Sequence, residues 1–386
     1  MGFRNLLGAL AVSVLVVGCA GPEDQAVLDA LPAGRNDMIQ VAGVIREPLP
    51  LSVALPDGSS AQLEGVVVRP DRPGRFPVLF INHGTSSDLS SRRREHAALF
   101  TDQAIAFAAH GWAVVSVVRP GFGRSGGPFL EDLGLCEHSR FDGVAKAMGD
   151  EVLAIIAAVK QQHFAWADDG RILLVGHSGG GLASLAAAAR QPDDLVGVIN
   201  FAGGDGAPLG STFCQPQDLV RTVGGLGRTT HIPSLWIYAH NDSKFPPRIA
   251  TDMFDAFRAN GAPAEMILAP DYADEGHNFI EAVDLWWPMV DTFLAAQHLP
   301  VAPIVAAAPG KAPPPASLTR AQDLAFFNKY LKLTSYEKAF AVGDHGGAGY
   351  AQGYRTIAAA KMIALQLCQR RDTGCRIYAV GNQPVQ

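Results

Sequence analysis

The stretch Arg171-Ile-Leu-Leu-Val-Gly-His-Ser-Gly-Gly-Gly-Leu-Ala-Ser-Leu-Ala-Ala-Ala-Ala-Arg190 decides the reading of this chain. Ile172 to Val175 form a short apolar run with the length of a buried strand. Leu182 to Ala189 read as a helix of small residues. Between them Gly176-His177-Ser178-Gly179-Gly180 fits G-x-S-x-G. A serine hydroxyl attacks only when it is presented outside the packed sheet and a base takes its proton. A sharp strand-to-helix turn does the presenting, and flanking glycines let backbone pass close to a strained serine. Ser178 is therefore the candidate nucleophile.

The same motif recurs at Gly123-Arg124-Ser125-Gly126-Gly127, between Pro120 and Pro128. Proline on both sides predicts a loop and not the start of a helix. Gly121-Phe-Gly123-Arg-Ser-Gly126 also matches G-x-G-x-x-G, but without a following helix the dinucleotide reading fails. Ser125 is set aside on that ground.

The 386 residues leave room for one large domain and a smaller one, and the apolar fraction of 48% permits a large core. A net charge of −6 without a basic stripe argues against nucleic acid as a partner. Arg92-Arg93-Arg94, beside Glu95, reads as a solvated face.

Outward from the central stretch, strands and helices alternate. Strands are expected at Ile39–Ile45, Ala61–Val68, Pro77–Asn82, Trp112–Val118, Leu195–Phe201, Ser234–Ala239 and Ala264–Ala269, with a turn at Pro56-Asp-Gly58. Helices are expected at Thr101–His110, Val144–Phe164, Pro247–Asn260 and Glu281–Gln297. An irregular stretch is expected from Phe201 to about Ile232, too short for an independent cap. The alternation implies a doubly wound, mostly parallel sheet covered on both faces. Polar punctuation follows the strands at Gly84, Gly121, Gly176, Gly203, Asp242 and His277, where sites form in open α/β sheets.

Ser178 needs a base, and His277 lies in a loop after the last strand. His83 sits in a His-Gly turn, His177 lies inside the nucleophile turn and is expected to point away from the serine, and His240 closely precedes Asp242. The base needs a carboxylate to fix its tautomer. Asp242, at the end of the preceding strand, fits the order Ser…Asp…His; Asp205, after Gly203-Gly204, is the alternative.

Ser178, Asp242 and His277 in that order, with His83-Gly84-Thr85 after an early strand, resemble the α/β-hydrolase superfamily over roughly Val41 to Gln297. Trp236-Ile-Tyr-Ala-His-Asn-Asp242 and Asp274-Glu-Gly-His277 look most like its dienelactone hydrolase and prolyl-oligopeptidase-like branches. The resemblance implies an oxyanion hole from the backbone N–H groups of Thr85 and Gly179. Dienelactone hydrolases use cysteine as nucleophile, so Ser178 departs from them. The resulting expectation is a serine hydrolase of carboxylic esters with a small or medium acyl substrate and no metal or organic cofactor. A peptidase or amidase with the same triad and a non-catalytic envelope scaffold are the alternatives. An open site bordered by Phe122, Phe129 and the Phe213 loop is expected.

At the N-terminus, Arg4, the apolar run Leu6–Val17 and Val16-Val17-Gly18-Cys19 resemble a bacterial lipoprotein signal. The resemblance implies a signal peptide over 1–18, a lipid anchor at Cys19, a tether over 19–37 and a place in the cell envelope, weakly pointing to the outer membrane. The hydrolase domain is expected over 38–298. Residues 299–316, rich in Pro and Ala, read as a linker. Residues 317–386 read as a small α+β unit resembling a module at the ends of bacterial secreted proteins. Its helices are expected at Ser317–Leu331 and Thr356–Gln369, with short strands within Ala339–Tyr350 and at Cys375–Val380; Tyr350 and Tyr354 are read as structural. In an exported chain Cys136, Cys214, Cys368 and Cys375 allow three pairings, of which Cys136 with Cys214 and Cys368 with Cys375 are expected.

Overall fold

The computed structural model describes residues 38–86, 88–206, 213, 215–306, 312–333 and 337–385. The segments expected as signal peptide and tether, including Cys19, lie outside these residues, as does Cys214. Among the described residues no helix is long and apolar enough to cross a membrane.

The chain begins with strands β1 (Val44–Pro48), β2 (Leu51–Ala54), β3 (Ser60–Leu63), β4 (Gly65–Pro70) and β5 (Phe76–Asn82). Helices α1 (Leu89–Arg94) and α2 (Thr101–Ala109) lead to β6 (Ala113–Val117). Helix α3 (Phe141–Gln161), β7 (Ala167–His177), α4 (Gly179–Ala188) and β8 (Leu195–Phe201) follow. Helix α5 (Pro216–Gly227), β9 (Ser234–Ala239), α6 (Pro247–Ala259), β10 (Ala264–Ala269) and α7 (Val283–Ala296) complete the large unit. Beyond it lie α8 (Ala321–Leu331), β11 (Ala339–Val342), β12 (Ala348–Ala351), α9 (Ile357–Gln369), β13 (Arg376–Val380) and β14 (Gln383–Pro384).

Eight strands form one sheet in the order β1-β4-β6-β5-β7-β8-β9-β10. The six from β6 to β10 in that order run parallel, and β4 is antiparallel to both neighbours. Strand β5 lies between β6 and β7, so the winding reverses there. A reversal splays the outgoing connections apart and leaves a crevice at the strand ends. The loops after β5 and β7, which carry His83 to Thr85 and Ser178, flank it.

Every residue of β5 is buried, as a strand covered on both faces requires. Val78 and Phe80 enter the layer under α3, α4 and α6. Leu79 and Ile81 enter the opposite layer with α2 and α7. All ten residues of α4 are buried, which explains their small size.

Three expectations change. The run Ala61–Val68 splits at Glu64 into β3, which pairs with β2 across the Pro56–Gly58 turn, and β4. The Glu64 N–H leaves the ladder for the Ser125 hydroxyl at 2.9 Å. The first strand begins at Val44 and not at Ile39, after Gly43 with φ 83°. The stretch expected to be irregular contains α5, which starts on a proline and buries Leu219 and Val223. Two of its three glycines are packing contacts: a Cβ at Gly224 would meet Ala256 at 3.0 Å, and one at Gly227 would meet the Phe257 backbone.

The C-terminal unit has its own antiparallel sheet, β12-β11-β13-β14, with the expected Cys368–Cys375 disulfide. Cys136 is disulfide-bonded, but its expected partner lies outside the described residues. Tyr350 packs 4.7 Å from Phe326 and 6.1 Å from Tyr330, in a structural cluster. The start of the expected linker is laid on the large unit: Trp112 Nε1 donates to the Pro300 carbonyl at 3.1 Å and Ile304 N–H to Ala109 at 2.8 Å. Arg46 of β1 meets Glu337 at 2.9 Å, with side chains 0% and 1% exposed. Arg46 also donates to the Ile39 carbonyl at 2.6 Å and the Thr101 hydroxyl at 2.8 Å. Removing one partner of a buried pair strands the other charge. Glu337→Ala is therefore expected to lower stability to chemical unfolding by about 3–5 kcal/mol, while Arg376→Ala, which removes an exposed pair, stays within about 1 kcal/mol.

Candidate active site

Strand β7 ends at His177, and the next residue turns the chain into α4. Ser178 has φ 55° and ψ −126°, a conformation that L residues rarely adopt. The turn is possible because residue 176 has no side chain: a Cβ there would run into the Gly180 carbonyl. The Ser178 carbonyl accepts from Gly181 at 2.9 Å and Gly204 at 3.1 Å, and its N–H donates to Phe201 at 3.0 Å. These bonds hold the strained residue from both sides. The Ser178 hydroxyl makes no hydrogen bond among the described residues.

Gly179 is the first residue of α4, and the N–H groups of a helix's first turn have no partner within the helix. A Cβ on Gly179 would collide with the Thr85 side chain and sit 2.9 Å from the Thr85 nitrogen. The two residues expected to supply oxyanion donors therefore face each other. Gly84 backs onto the serine: a Cβ there would lie 3.6 Å from Ser178 Oγ.

His277 Nδ1 lies 3.2 Å from Asp242 Oδ2. Asp242 is 2% exposed, and its Oδ1 accepts from the Lys244 and Phe245 N–H groups, both at 2.8 Å. The carboxylate is thus fixed by its own turn and presents one oxygen to the imidazole. Asp205 does not reach His277. Its Oδ1 accepts from Gly206 N–H at 2.7 Å, its Oδ2 is buried with no partner among the described residues, and burial pushes its carboxyl up to about 7.

The remaining candidates have structural partners. Ser125 donates to the Val118 carbonyl at 2.6 Å and accepts from Glu64. His240 is exposed beside Asp271. Phe122, expected at the rim, is 1% exposed and packs against His83 at 4.7 Å. Phe129 lies under the Arg92 guanidinium, 3.9 Å from its ring centre. Of the expected solvated arginine face, Arg93 and Arg94 are exposed and Arg92 is half-buried. Phe213 is half-buried against Phe245. No cluster of metal-ligating side chains occurs among the described residues.

Arg119 and Glu131 bear on the site without a motif to announce them, and His177 and Glu275 bear on it from inside the two quoted motifs. Arg119 and Glu131 form a buried ion pair, Nε to Oε1 at 2.5 Å and Nη2 to Oε2 at 3.0 Å. Arg119 also donates to the His83 carbonyl at 2.6 Å and the Gly84 carbonyl at 3.3 Å, and Glu131 accepts from the Thr85 hydroxyl. His177 donates from Nε2 to the His277 carbonyl at 2.8 Å, which ties the serine turn to the histidine loop. Burial, then the nearby His277, drives its basicity down to about 3, so it stays a neutral donor. Glu275 accepts from the N–H groups of His277 and Ser243, both at 3.0 Å, and joins the loops that carry His277 and Asp242. The only signal for Arg119 and Glu131 was a charge close to a glycine-rich turn.

Residues 89–245 match the family model described as serine aminopeptidase, S33. No curated protein matches the chain. Among solved structures, a rice cell wall degrading esterase from Xanthomonas oryzae is 15% identical, with 66% of this chain and 91% of that one covered and a TM-score of 0.49. An esterase from Pyrococcus furiosus is 13% identical, with 65% and 91% covered and a TM-score of 0.47. A structure described as a dienelactone hydrolase from Klebsiella pneumoniae subsp. pneumoniae is 19% identical, with 66% and 98% covered and a TM-score of 0.44. The family match and the mostly parallel sheet support the α/β-hydrolase superfamily, and with it a hydrolase.

Buried ionisable groups give stability a distinct pH course. Burial raises the carboxyls of Glu95 and Asp205 to about 7, Asp102 to about 6 and Glu151 to about 9. Such acids hold more protons folded than unfolded, so stability falls as pH rises through each window. Burial lowers His83 and His177, which has the opposite effect below about pH 6.5. The two histidines offset part of the carboxyl effect in mild acid; above it His345, whose basicity is raised by its hydrogen bond to Asp372 and by that residue's charge, adds to the carboxyl effect. The thermal midpoint is expected to fall from about pH 5 towards about pH 9, because two histidines offset only part of the effect of four carboxyls, as followed by calorimetry.

Proposed function

We propose that the protein is a serine hydrolase of carboxylic esters, with Ser178 as nucleophile, His277 as base and Asp242 as the residue that orients it. The observation that carries the reading is the His277–Asp242 pair, tied through His177 to a strained serine turn. In this reading Ser178 Oγ attacks the ester carbonyl carbon while His277 Nε2 takes its proton. The negative charge gathers on the former carbonyl oxygen, between the N–H groups of Thr85 and Gly179. Preorganised donors at that position are usually a large catalytic term. Collapse expels the alcohol, which takes the proton back from His277, and leaves an acyl-Ser178. Water, deprotonated by the same histidine, attacks the acyl carbon, and collapse releases the acid while His277 returns the proton to Ser178 Oγ. The steps need no metal or organic cofactor. The same steps cleave amides, and the name of the matching family model favours that second reading. Phe129, Leu130 and Leu135, partly or well exposed after the Gly121 turn, suit a small or medium acyl group.

We further propose that the chain is exported and held at the envelope by lipid on Cys19, with residues 1–18 removed, 19–37 as tether and 38–298 as the hydrolase domain. This reading rests on the sequence pattern of the first twenty residues.

A fluorophosphonate probe is expected to label the wild-type protein and Ser125→Ala but not Ser178→Ala. Absence of label on folded wild type would overturn the enzyme reading in favour of a scaffold. Asp242→Asn is expected to lower ester turnover by about four orders of magnitude, and Asp205→Asn by far less. Cys19→Ala is expected to move the protein from membrane to soluble fractions with turnover intact. Retention on membranes would point to another attachment.

A further inference from the structure

The side chain of Arg355, between β12 and α9, leaves its own unit. Its Nε donates to the Glu64 carboxylate at 3.2 and 3.4 Å, and its Nη2 donates to the Glu95 carbonyl at 2.7 Å. Only 9% of the side chain is exposed. Glu64 Oε1 also accepts the Ala97 N–H at 3.1 Å. One cross-unit contact thus holds both ends of the segment 95–97. The turn at Gly123 closes over it: a Cβ there would meet the Glu95 carbonyl and stand 3.0 Å from Arg355 Nη2.

That segment backs the candidate oxyanion turn. The Glu95 carboxylate lies 3.9 Å from His83 Nδ1. His83 is neutral and doubly held: its Nδ1–H donates to the Gly84 carbonyl at 2.7 Å and its Nε2 accepts the Arg119 N–H at 2.9 Å. Arg119 and Glu131 then fix Gly84 and Thr85. The path from Arg355 to Thr85 is hydrogen-bonded at every step but one, where the Glu95 carboxylate packs 3.9 Å from His83.

We infer that the C-terminal unit is a working part of the hydrolase site, and that Arg355 is a positioning residue that fixes the turn His83–Thr85 through segment 95–97. The inference rests on the hydrolase reading for its catalytic consequence, not for its geometry. Charge agrees with it. Burial, with the neighbouring Glu131 and Glu64 charges and partly offset by the Arg119 and Arg355 cations, raises Glu95 to about 7. Loss of the Arg355 charge moves it higher.

The test uses the full-length protein with Arg355→Ala, Arg355→Gln and Arg355→Lys, and Arg376→Ala as an exposed control in the same unit. The rate of Ser178 phosphonylation is expected to fall about tenfold or more in Arg355→Ala, the scale of a displaced oxyanion donor. The concentration for half-maximal labelling should stay within about twofold, since donor position affects the transition state more than binding. Arg355→Lys should recover most of the rate, Arg376→Ala should match wild type, and Arg355→Gln should shift the pH profile of labelling upward near neutrality. Hydrogen exchange of residues 83–97 is expected to quicken in Arg355→Ala with the rest of the sheet unchanged. Wild-type labelling rate and exchange in Arg355→Ala overturn the inference. If that variant does not fold, Arg355→Gln decides by the same two measurements. If wild type takes no label, the hydrolase reading falls, and exchange alone decides whether Arg355 holds the turn.

Discussion

Arg119 has no solvent to share its charge with: its side chain and that of Glu131 opposite are both 0% exposed. Burying a guanidinium costs several kcal/mol unless its donors are met by good acceptors. Here they are met by the Glu131 carboxylate and by two consecutive carbonyls, of His83 and Gly84. Those carbonyls belong to the turn after β5, so the need to satisfy one cation dictates the path of backbone beside Ser178. Only one carboxylate can be ionised cheaply against one guanidinium in so dry a place. Glu151, beside Glu131, is accordingly held protonated up to about 9 by burial and then by Glu131. Among the described residues no donor group reaches either of its oxygens, as suits a carboxyl whose proton is turned to Glu131.

The second constraint is steric. The turn at Ser178 is strained, and strain survives only where the surroundings overdetermine it. Gly176 and Gly179 permit the approach of backbone that no other residue would allow. The all-buried helix α4 and strand β5 supply the stiffness on either side. Because Gly179 and Thr85 touch, displacement of the Arg119-bound turn is felt at the helix N-terminus, where a developing oxyanion would sit.

Much of this frame was legible in the sequence because the same forces write it twice. Strands β8, β9 and β10 fall on the residues expected, since their apolar runs end at Gly203, His240 and Pro270, where the sheet ends. Asp242 was preferred to Asp205 for the chain order Ser…Asp…His and its place at the end of the strand before His277, and its Oδ2 lies 3.2 Å from His277 Nδ1. Helix α5 was missed because Gly224, Gly225 and Gly227 read as breakers, whereas two of them make room for α6. Arg119 and Glu131 were missed for a different reason. A lone arginine before proline and a lone glutamate in a loop look solvated, and only tertiary packing brings them together. His177, expected to point away from the serine, had no role assigned in the sequence, and its ring reaches the His277 backbone.

The placement of the C-terminal unit follows from the same electrostatics. The large unit exposes two needs at one edge of its sheet: Arg46, with a charge to neutralise, and Glu64 with the Glu95 carbonyl, lacking a cation. Glu337 answers the first and Arg355 the second. A docking surface made of buried charges gains little in net stability over an apolar one, because desolvation consumes the attraction. It does fix register, since a slip of one residue would strand both ions at once. A unit attached only for ballast needs no such register; a unit whose arginine must meet the carbonyl of Glu95, next to the turn at His83, does.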